Sequence, residues 1–259
     1  MSKKQKQGHG FFFRLFLSVL ILFFSFMLYE KKHNPELYHK VLGIFQPAEK
    51  EQGEEIPLVQ QDITPKAEEN TYIIDSTTNS CTLIGGPYHI TYYNQNDARW
   101  KDKIYGKKDT IGVYGCGPTV LAMIVSSLTE DVMTPDAMAA WAYKNNFFCP
   151  GSGSYHSIIP NGASSFGLQV TSLKTPSKET IIQELCTGKI LVALMKKGTF
   201  TASGGHFIIL RSASLDGKVY IADPQSLDNS MKEWDVDLLI NELKTNASSG
   251  GPVWSISAP

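Results

Sequence analysis

Cys116 stands between two glycines in Tyr114-Gly115-Cys116-Gly117-Pro118-Thr119, just ahead of an almost wholly apolar run that includes Val120, Leu121, Ile124, Val125 and Leu128. That run predicts a buried helix over 118–128. Pro118 suits its first turn, where a missing N–H is no loss. Cys116 then lies at the positive end of the helix dipole, a place that favours thiolate over thiol. The flanking glycines would let a substrate backbone come close. The chemistry this implies is nucleophilic attack by sulfur.

A thiolate nucleophile needs a base and an orienting group. Gly204-Gly205-His206-Phe207-Ile208-Ile209-Leu210 places a histidine at the opening of a strongly apolar strand. The chain turns at Asp216-Gly217 and returns as Val219-Tyr220-Ile221-Ala222-Asp223-Pro224, which makes Asp223 the third element. Hairpin geometry decides whether the two can meet. A four-residue loop over 214–217 sets Asp223 opposite Ile208, on the face of His206 and about 7–8 Å away at the backbone. A two-residue Asp-Gly turn keeps the face but widens the gap to about 13 Å. Pairing therefore requires the longer loop or a strong twist.

Acyl transfer also needs donors aimed at the oxyanion that develops on the attacked carbonyl. Upstream, Tyr92-Tyr93-Asn94-Gln95-Asn96-Asp97-Ala98-Arg99-Trp100 offers the Gln95 amide, with Asn94 or Asn96 as substitutes and the Cys116 backbone N–H as a second donor. His156, after the Gly/Ser-rich stretch 150–155, could line a cleft, whereas His89 reads as a strand residue with a structural role. Cys81, Cys149 and Cys186 show no two-residue spacing, so no zinc-type pair is expected. They read as ordinary buried thiols, with at most one disulfide among them.

The elements that must hold these residues can be read along the 259-residue chain. Strands are expected at 88–93, 168–173, 190–195, 207–213, 219–222 and 253–257. Besides the Cys116 helix, helices are expected at 135–145 with Thr134 as cap, at 177–187 with Ser177 as cap and Gly188 as stop, and late at 235–244. Helices first and strands last imply an α+β fold with an antiparallel sheet.

Ahead of this globular part the composition changes twice. Phe11 to Tyr29 carries a single charge, Arg14, and at about 1.5 Å per residue approaches the hydrocarbon thickness of a bilayer. It ends in bulky residues, without a small-residue cleavage site, so an uncleaved transmembrane anchor is expected. Lys3, Lys4, Lys6 and Arg14 favour a cytoplasmic tail over 1–10 and an extracytoplasmic C-terminal part. Residues 30–80 are expected as a juxtamembrane segment and stalk. From 46 to 80 they hold eight acids against two bases, with Pro47, Pro57 and Pro65, a composition that buries too little surface to fold. The globular domain is then 81–259. The net charge of −1 gives no general attraction to nucleic acid.

Gln95, Gly-Cys-Gly-Pro-Thr at 115–119, Gly-Gly-His-Phe at 204–207 and Ala-Asp-Pro at 222–224, in that order, resemble the papain-like cysteine peptidases grouped with the bacteriocin-processing, double-glycine-type enzymes. The likeness is closest to the stand-alone bacterial peptidase-like branch and runs from about Tyr88 to Ser257. Tyr92-Tyr93-Asn94-Gln95, Asp97, Arg99-Trp100 and Trp141 add to it. The resemblance implies a papain-like fold, a peptide or protein substrate and no cofactor or metal. It assigns Cys116 as nucleophile, His206 as general base and acid, Asp223 as orienter and Gln95 as oxyanion donor. Leader-trimming members are joined to an exporter part, which is not expected here. Cell-wall peptide cleavage, transamidation and a non-catalytic binding role are the alternatives on the same fold.

Overall fold

A computed structural model describes Tyr29, Lys32, His33 and residues 70–258. The chain divides into two units, Met1–Asp62 and Ile63–Pro259. In the first, the described residues are helical and exposed, and the Tyr29 and His33 rings lie 4.6 Å apart, one helical turn from each other. The anchor expected at 11–29 and the tail at 1–10 fall outside the described residues, Tyr29 excepted. No helix among the described residues is long and apolar enough to cross a membrane.

The second unit begins with three strands: β1 (Thr71–Asp75), β2 (Ser80–Ile84) and β3 (Ile90–Tyr92), paired antiparallel in that order. Residues 71–80, expected to belong to the stalk, form a hairpin instead. Division of the chain at residue 81 would therefore cut through β2. All five residues of β1 are exposed, so composition gave no burial signal; its Thr-Tyr-Ile-Ile run pairs through the backbone.

One short pair, β4 (Ile104–Tyr105) with β5 (Asp109–Thr110), leads into a one-turn helix α1 (Ile111–Tyr114) and then α2 (Cys116–Leu128). As its unbroken apolar sequence predicts, α2 is buried from Gly117 through Val125 and packs on β3, on α3 (Pro135–Lys144) and on the main sheet. Thr134 does precede α3, but its hydroxyl bonds the Asp136 carboxylate and does not cap the backbone. A tight hairpin follows, β6 (Phe148–Cys149) and β7 (Gly153–Ser154), then a 3₁₀ turn at His156–Ile158 and α4 (Pro160–Ser165).

The main sheet contains β8 (Gln169–Leu173), β9 (Ile190–Met195), β10 (His206–Ala213), β11 (Lys218–Ala222), β12 (Glu233–Asp235) and β13 (Val253–Ser257). Their order is β12-β11-β10-β9-β13-β8, with every pairing antiparallel. One face (Val192, Leu194, Phe207, Ile209, Trp254) joins the core that holds α2. The other (Leu191, Ala193, Ile208, Leu210, Ile221) packs with Ile181 and Leu185 of α5 (Lys178–Cys186) and with Val236 and Leu239 of α7 (Val236–Asn241). Burial on both faces explains why β9 and β10 read as continuous apolar runs without alternation. Ser177 caps α5 through the Thr180 N–H, as expected, while α6 (Leu227–Ser230) is a short turn that the sequence did not announce. The late helix ends at Asn241, short of the expected Lys244, because Leu243 leaves it to bridge Met195 of β9. The fold is mixed α+β.

Candidate functional site

Cys116 is the first residue of α2, with Gly115 at the N-cap. The glycines beside it answer to the protein's own packing. A Cβ on Gly115 would come within 2.5 Å of the Ile111 carbonyl, and one on Gly117 within 2.6 Å of the Ser154 hydroxyl. Both contacts are with the protein's own atoms, so packing gives each glycine a reason beside the expected substrate approach. Cys116 is half-buried, and its Sγ lies 3.9 Å from the Gly205 carbonyl, toward which the thiol can donate.

Gly204 and Gly205 both take left-handed φ, +84° and +78°, to turn the chain into β10. His206 then opens that strand, paired with Met195 of β9. Its Nε2 lies 2.8 Å from Asp223 Oδ1, with the two residues 2% and 1% exposed. This leaves Nδ1 for the sulfur. Burial disfavours the imidazolium, but Asp223 and then Cys116 outweigh it and raise the His206 pKa to about 9. Burial likewise opposes the Cys116 thiolate. The His206 ring and the N–H groups of Phe207 and Gly117 overcome that and bring the thiol below its ordinary value. The two directions agree on a thiolate–imidazolium pair.

The register that brings Asp223 to His206 has an origin the hairpin estimate missed. The loop is three residues, Leu215 to Gly217, with Ser214 and Lys218 bonded across it and Gly217 at φ +90°. This sets Ala213 opposite Val219 and Ser212 opposite Tyr220. Continued inward, that register would set Asp223 opposite Ile209, with its side chain on the face away from His206. A bulge at Arg211 shifts it by one, so Leu210 pairs with Ile221 and Ile209 with Ala222. Asp223 thereby returns to the face of His206.

Asp223 is then held from all sides. The Gln225 N–H donates to Oδ1 and Asn229 Nδ2 to Oδ2, each at 2.9 Å, while the Ser230 hydroxyl accepts the Asp223 N–H. The buried Tyr92 hydroxyl donates to the Asp223 carbonyl at 2.9 Å, and its own pKa is raised by burial and then by Asp223. Asn229 carried no signal in the sequence, because α6, which presents it, is only one turn long.

Gln95 is fully buried; its backbone N–H donates to the Pro224 carbonyl at 2.7 Å and its Nε2 to the Gly112 carbonyl at 2.9 Å. This ties the Gln95 segment to the turns carrying Asp223 and Cys116. One amide N–H stays uncommitted, and Oε1 has no partner. The Asn94 side-chain oxygen accepts the Asn96 N–H, and the Asn94 carbonyl accepts from Trp100.

A cleft of about 580 Å³ opens at Cys116 and His206. Its walls include Tyr114, Cys149, Ser154, His156, Thr201, Phe207, Gln225, Lys244 and Ser248. Asp109 fixes one wall by accepting the Gly151 N–H at 2.6 Å. His156 proves to be a cleft residue, as its place after the Gly/Ser stretch allowed. All four cysteines are free; Cys81 and Cys149 are half-buried and Cys186 is exposed, so the expected buried thiols are more accessible than foreseen. Among the described residues no cluster of His, Cys, Asp and Glu has metal-binding geometry.

Comparison with known proteins gives one family. The Peptidase_C39 like family matches residues 88–254. A crystal structure of a proposed C39-like peptidase from Bacillus anthracis is similar at 15% identity and a TM-score of 0.40, covering 56% of this chain and 90% of that one. None of the curated proteins matches significantly.

Proposed function

This chain belongs to the Peptidase_C39 like family, and from that premise we propose that it is a papain-like cysteine peptidase acting through Cys116, His206 and Asp223. The observation that carries the reading is a half-buried thiol at a helix N-terminus beside an imidazole whose far nitrogen lies 2.8 Å from a buried carboxylate. A binding module has no need of that arrangement. Burial of a histidine–aspartate pair is costly, and here it opens on a cleft.

The proposed reaction uses these groups in order. The Cys116 thiolate attacks the scissile carbonyl carbon, and the C–O π electrons move to oxygen. The uncommitted N–H of Gln95 is the donor assigned to that oxyanion, with the Cys116 backbone N–H as the second. His206 gives its proton to the departing amine, and a thioester remains. Water then attacks with His206 as base, which frees the acid product and restores the thiol. Asp223 fixes the imidazole tautomer throughout.

Iodoacetamide near pH 6 tests the first step. Cys116 should be alkylated far faster than Cys81, Cys149 or Cys186, and the labelled chain should cleave no peptide from a fluorogenic library. Equal labelling of accessible thiols would remove the basis of the proposal.

The proposed setting is a cell membrane, crossed once by 11–29, with the catalytic unit outside. The apolar run and the basic residues before it support this. Protease added to intact protoplasts should remove the C-terminal unit; protection until lysis would reverse the orientation.

A further inference from the structure

We propose that the cleft selects a substrate carboxylate one or two residues from the scissile bond, held by Lys244 and His156. This rests on the peptidase reading and deepens it. Among the described residues no Asp or Glu lines the cleft, and Lys244 is its one lysine or arginine. The Lys244 ammonium has no carboxylate within ion-pair distance among the described residues. It lies 3.5 Å from where a Cβ on Gly205 would stand, and the Gly205 carbonyl is the group facing the Cys116 thiol. A charge so close to the reacting sulfur is within reach of a neighbouring substrate residue, since an extended chain advances only about 3.3–3.6 Å per residue.

The position of Lys244 is fixed by backbone. Its N–H donates to the Leu194 carbonyl at 2.8 Å, its carbonyl accepts the Ala247 N–H at 3.0 Å, and the preceding Leu243 bridges Met195. Gly205 and His206 also pair with Met195, so the ammonium and the imidazole are registered on one strand end. On the same cleft, His156 Nδ1 accepts the Ser248 backbone N–H at 2.9 Å. A backbone amide can only donate, so Nδ1 is unprotonated and the neutral ring carries its proton on Nε2. His156 is steadied edge-on against Phe207, with ring centroids 6.2 Å apart. An ammonium and an imidazole N–H on the walls of an acid-free cleft suit a carboxylate. That carboxylate could belong to an Asp or Glu side chain or to the substrate's C-terminus.

The test uses the full-length chain in detergent and a fluorogenic peptide library. Each position flanking the scissile bond is Glu, Gln or Lys, and each peptide is made as C-terminal acid and amide. At one position, or at the C-terminus, the acid should exceed its amide by roughly ten- to a hundredfold in kcat/KM, the worth of a hydrogen bond to a charged group. A side-chain preference and a C-terminal preference separate the two sources. Lys244→Met should erase the preference, and Lys244→Glu should reverse the order of Glu and Lys peptides. The same peptides are titrated against Cys116→Ala by fluorescence anisotropy, which needs no turnover. Equal behaviour of acid and amide at every position in both assays, or a Lys244→Glu chain with unchanged order, would overturn the carboxylate site. Charge-selective binding without cleavage of any peptide by the unmutated chain would instead sink the peptidase reading and leave the site standing.

Discussion

Strand β10 buries two ionisable side chains five residues apart, His206 and Arg211, and satisfies them in opposite ways. His206 meets a formal charge, the Asp223 carboxylate. Among the described residues Arg211 meets only neutral oxygens: the carbonyls of Ile84, Gly85 and Ile221 and the side-chain amide of Asn70, with the Tyr220 ring 5.5 Å from its guanidinium. Burial pushes the Arg211 pKa down to about 10, with Tyr220 opposing, so it stays charged at neutral pH. The difference teaches what each charge can do. A base bonded to a carboxylate and facing a thiol can exchange protons. A guanidinium spread over carbonyls cannot, but it fastens the β1–β2 hairpin to the bulge that sets Asp223 on the correct face.

The largest effect should separate the two residues by kind. Cys116→Ala and His206→Ala should each abolish peptide hydrolysis while keeping a cooperative melt, since Asp223 retains Gln225 and Asn229 as donors. Arg211→Ala should instead cost about 3–5 kcal/mol of stability, because it strands several buried acceptors at about 1–3 kcal/mol each. Its activity at low temperature should follow the folded fraction. Urea melts beside kinetics check both. An Arg211→Ala chain with an unaltered melt would break the comparison.

Next in size is Gln95→Ala, expected to lower kcat by roughly 10²–10³-fold with a smaller change in KM, as for loss of an oxyanion donor. A silent Gln95→Ala beside a crippled Asn94→Ala or Asn96→Ala would move the donor and leave the cysteine–histidine pair intact.

How far the sequence reached depends on how local each signal was. The apolar Cys116 helix, strands β9 and β13, and the order Gln95, Cys116, His206, Asp223 were legible because each is written in one short stretch. Arg211 interrupts an apolar run in Phe-Ile-Ile-Leu-Arg-Ser, which was a sign of a bulge, but its partners Asn70, Ile84 and Gly85 lie more than a hundred residues away. Lys244 and His156 line one cleft only because the late helix stops at Asn241 and the 3₁₀ turn brings His156 to Ser248. β1 was hidden because its short Tyr72-Ile73-Ile74 run was averaged into the acidic, proline-broken composition of 46–80.

The pH response should distinguish the two charges more gently. The His206 pKa is raised from 6.5 to about 9, so its stabilisation is fully present below 6.5 and is lost as pH rises through 9. Arg211 holds its charge over that window and adds no slope. Cys116, whose thiol is lowered by the same contact, titrates in the opposite sense and offsets this, so the His206 contribution is read in a Cys116→Ala background, which should lose stability relative to Cys116→Ala/His206→Gln as pH rises above 6.5, as measured by melts. Hydrolysis should fall over the same upper limb as the leaving amine loses its proton donor. A flat difference in that background would mean that His206 is neutral beside Asp223.

The smallest contrast is a pair of matched amide deletions, one on each charge. Asn229 supplies the Nδ2 donor at 2.9 Å to Asp223 Oδ2, whereas His206 and the Gln225 N–H both use Oδ1. Removal of Asn229 leaves one buried carboxylate oxygen short of a donor and frees the carboxylate to rotate. The imidazole then loses part of its orientation and none of its chemistry. Asn229→Ala should lower kcat by about three- to tenfold with KM unchanged, a loss of about 0.7–1.4 kcal/mol in the transition state. Asn70 accepts from Arg211 and donates to the Ser230 carbonyl at 3.3 Å, so Asn70→Ala should cost about 1–2 kcal/mol of stability and leave kcat alone. Steady-state kinetics and melts on the two variants read both quantities. If Asn70→Ala lowers kcat as Asn229→Ala does while both stay folded, the two charges are coupled through Ser230, whose hydroxyl accepts the Asp223 N–H, and the division between a reactive and a structural charge on β10 fails.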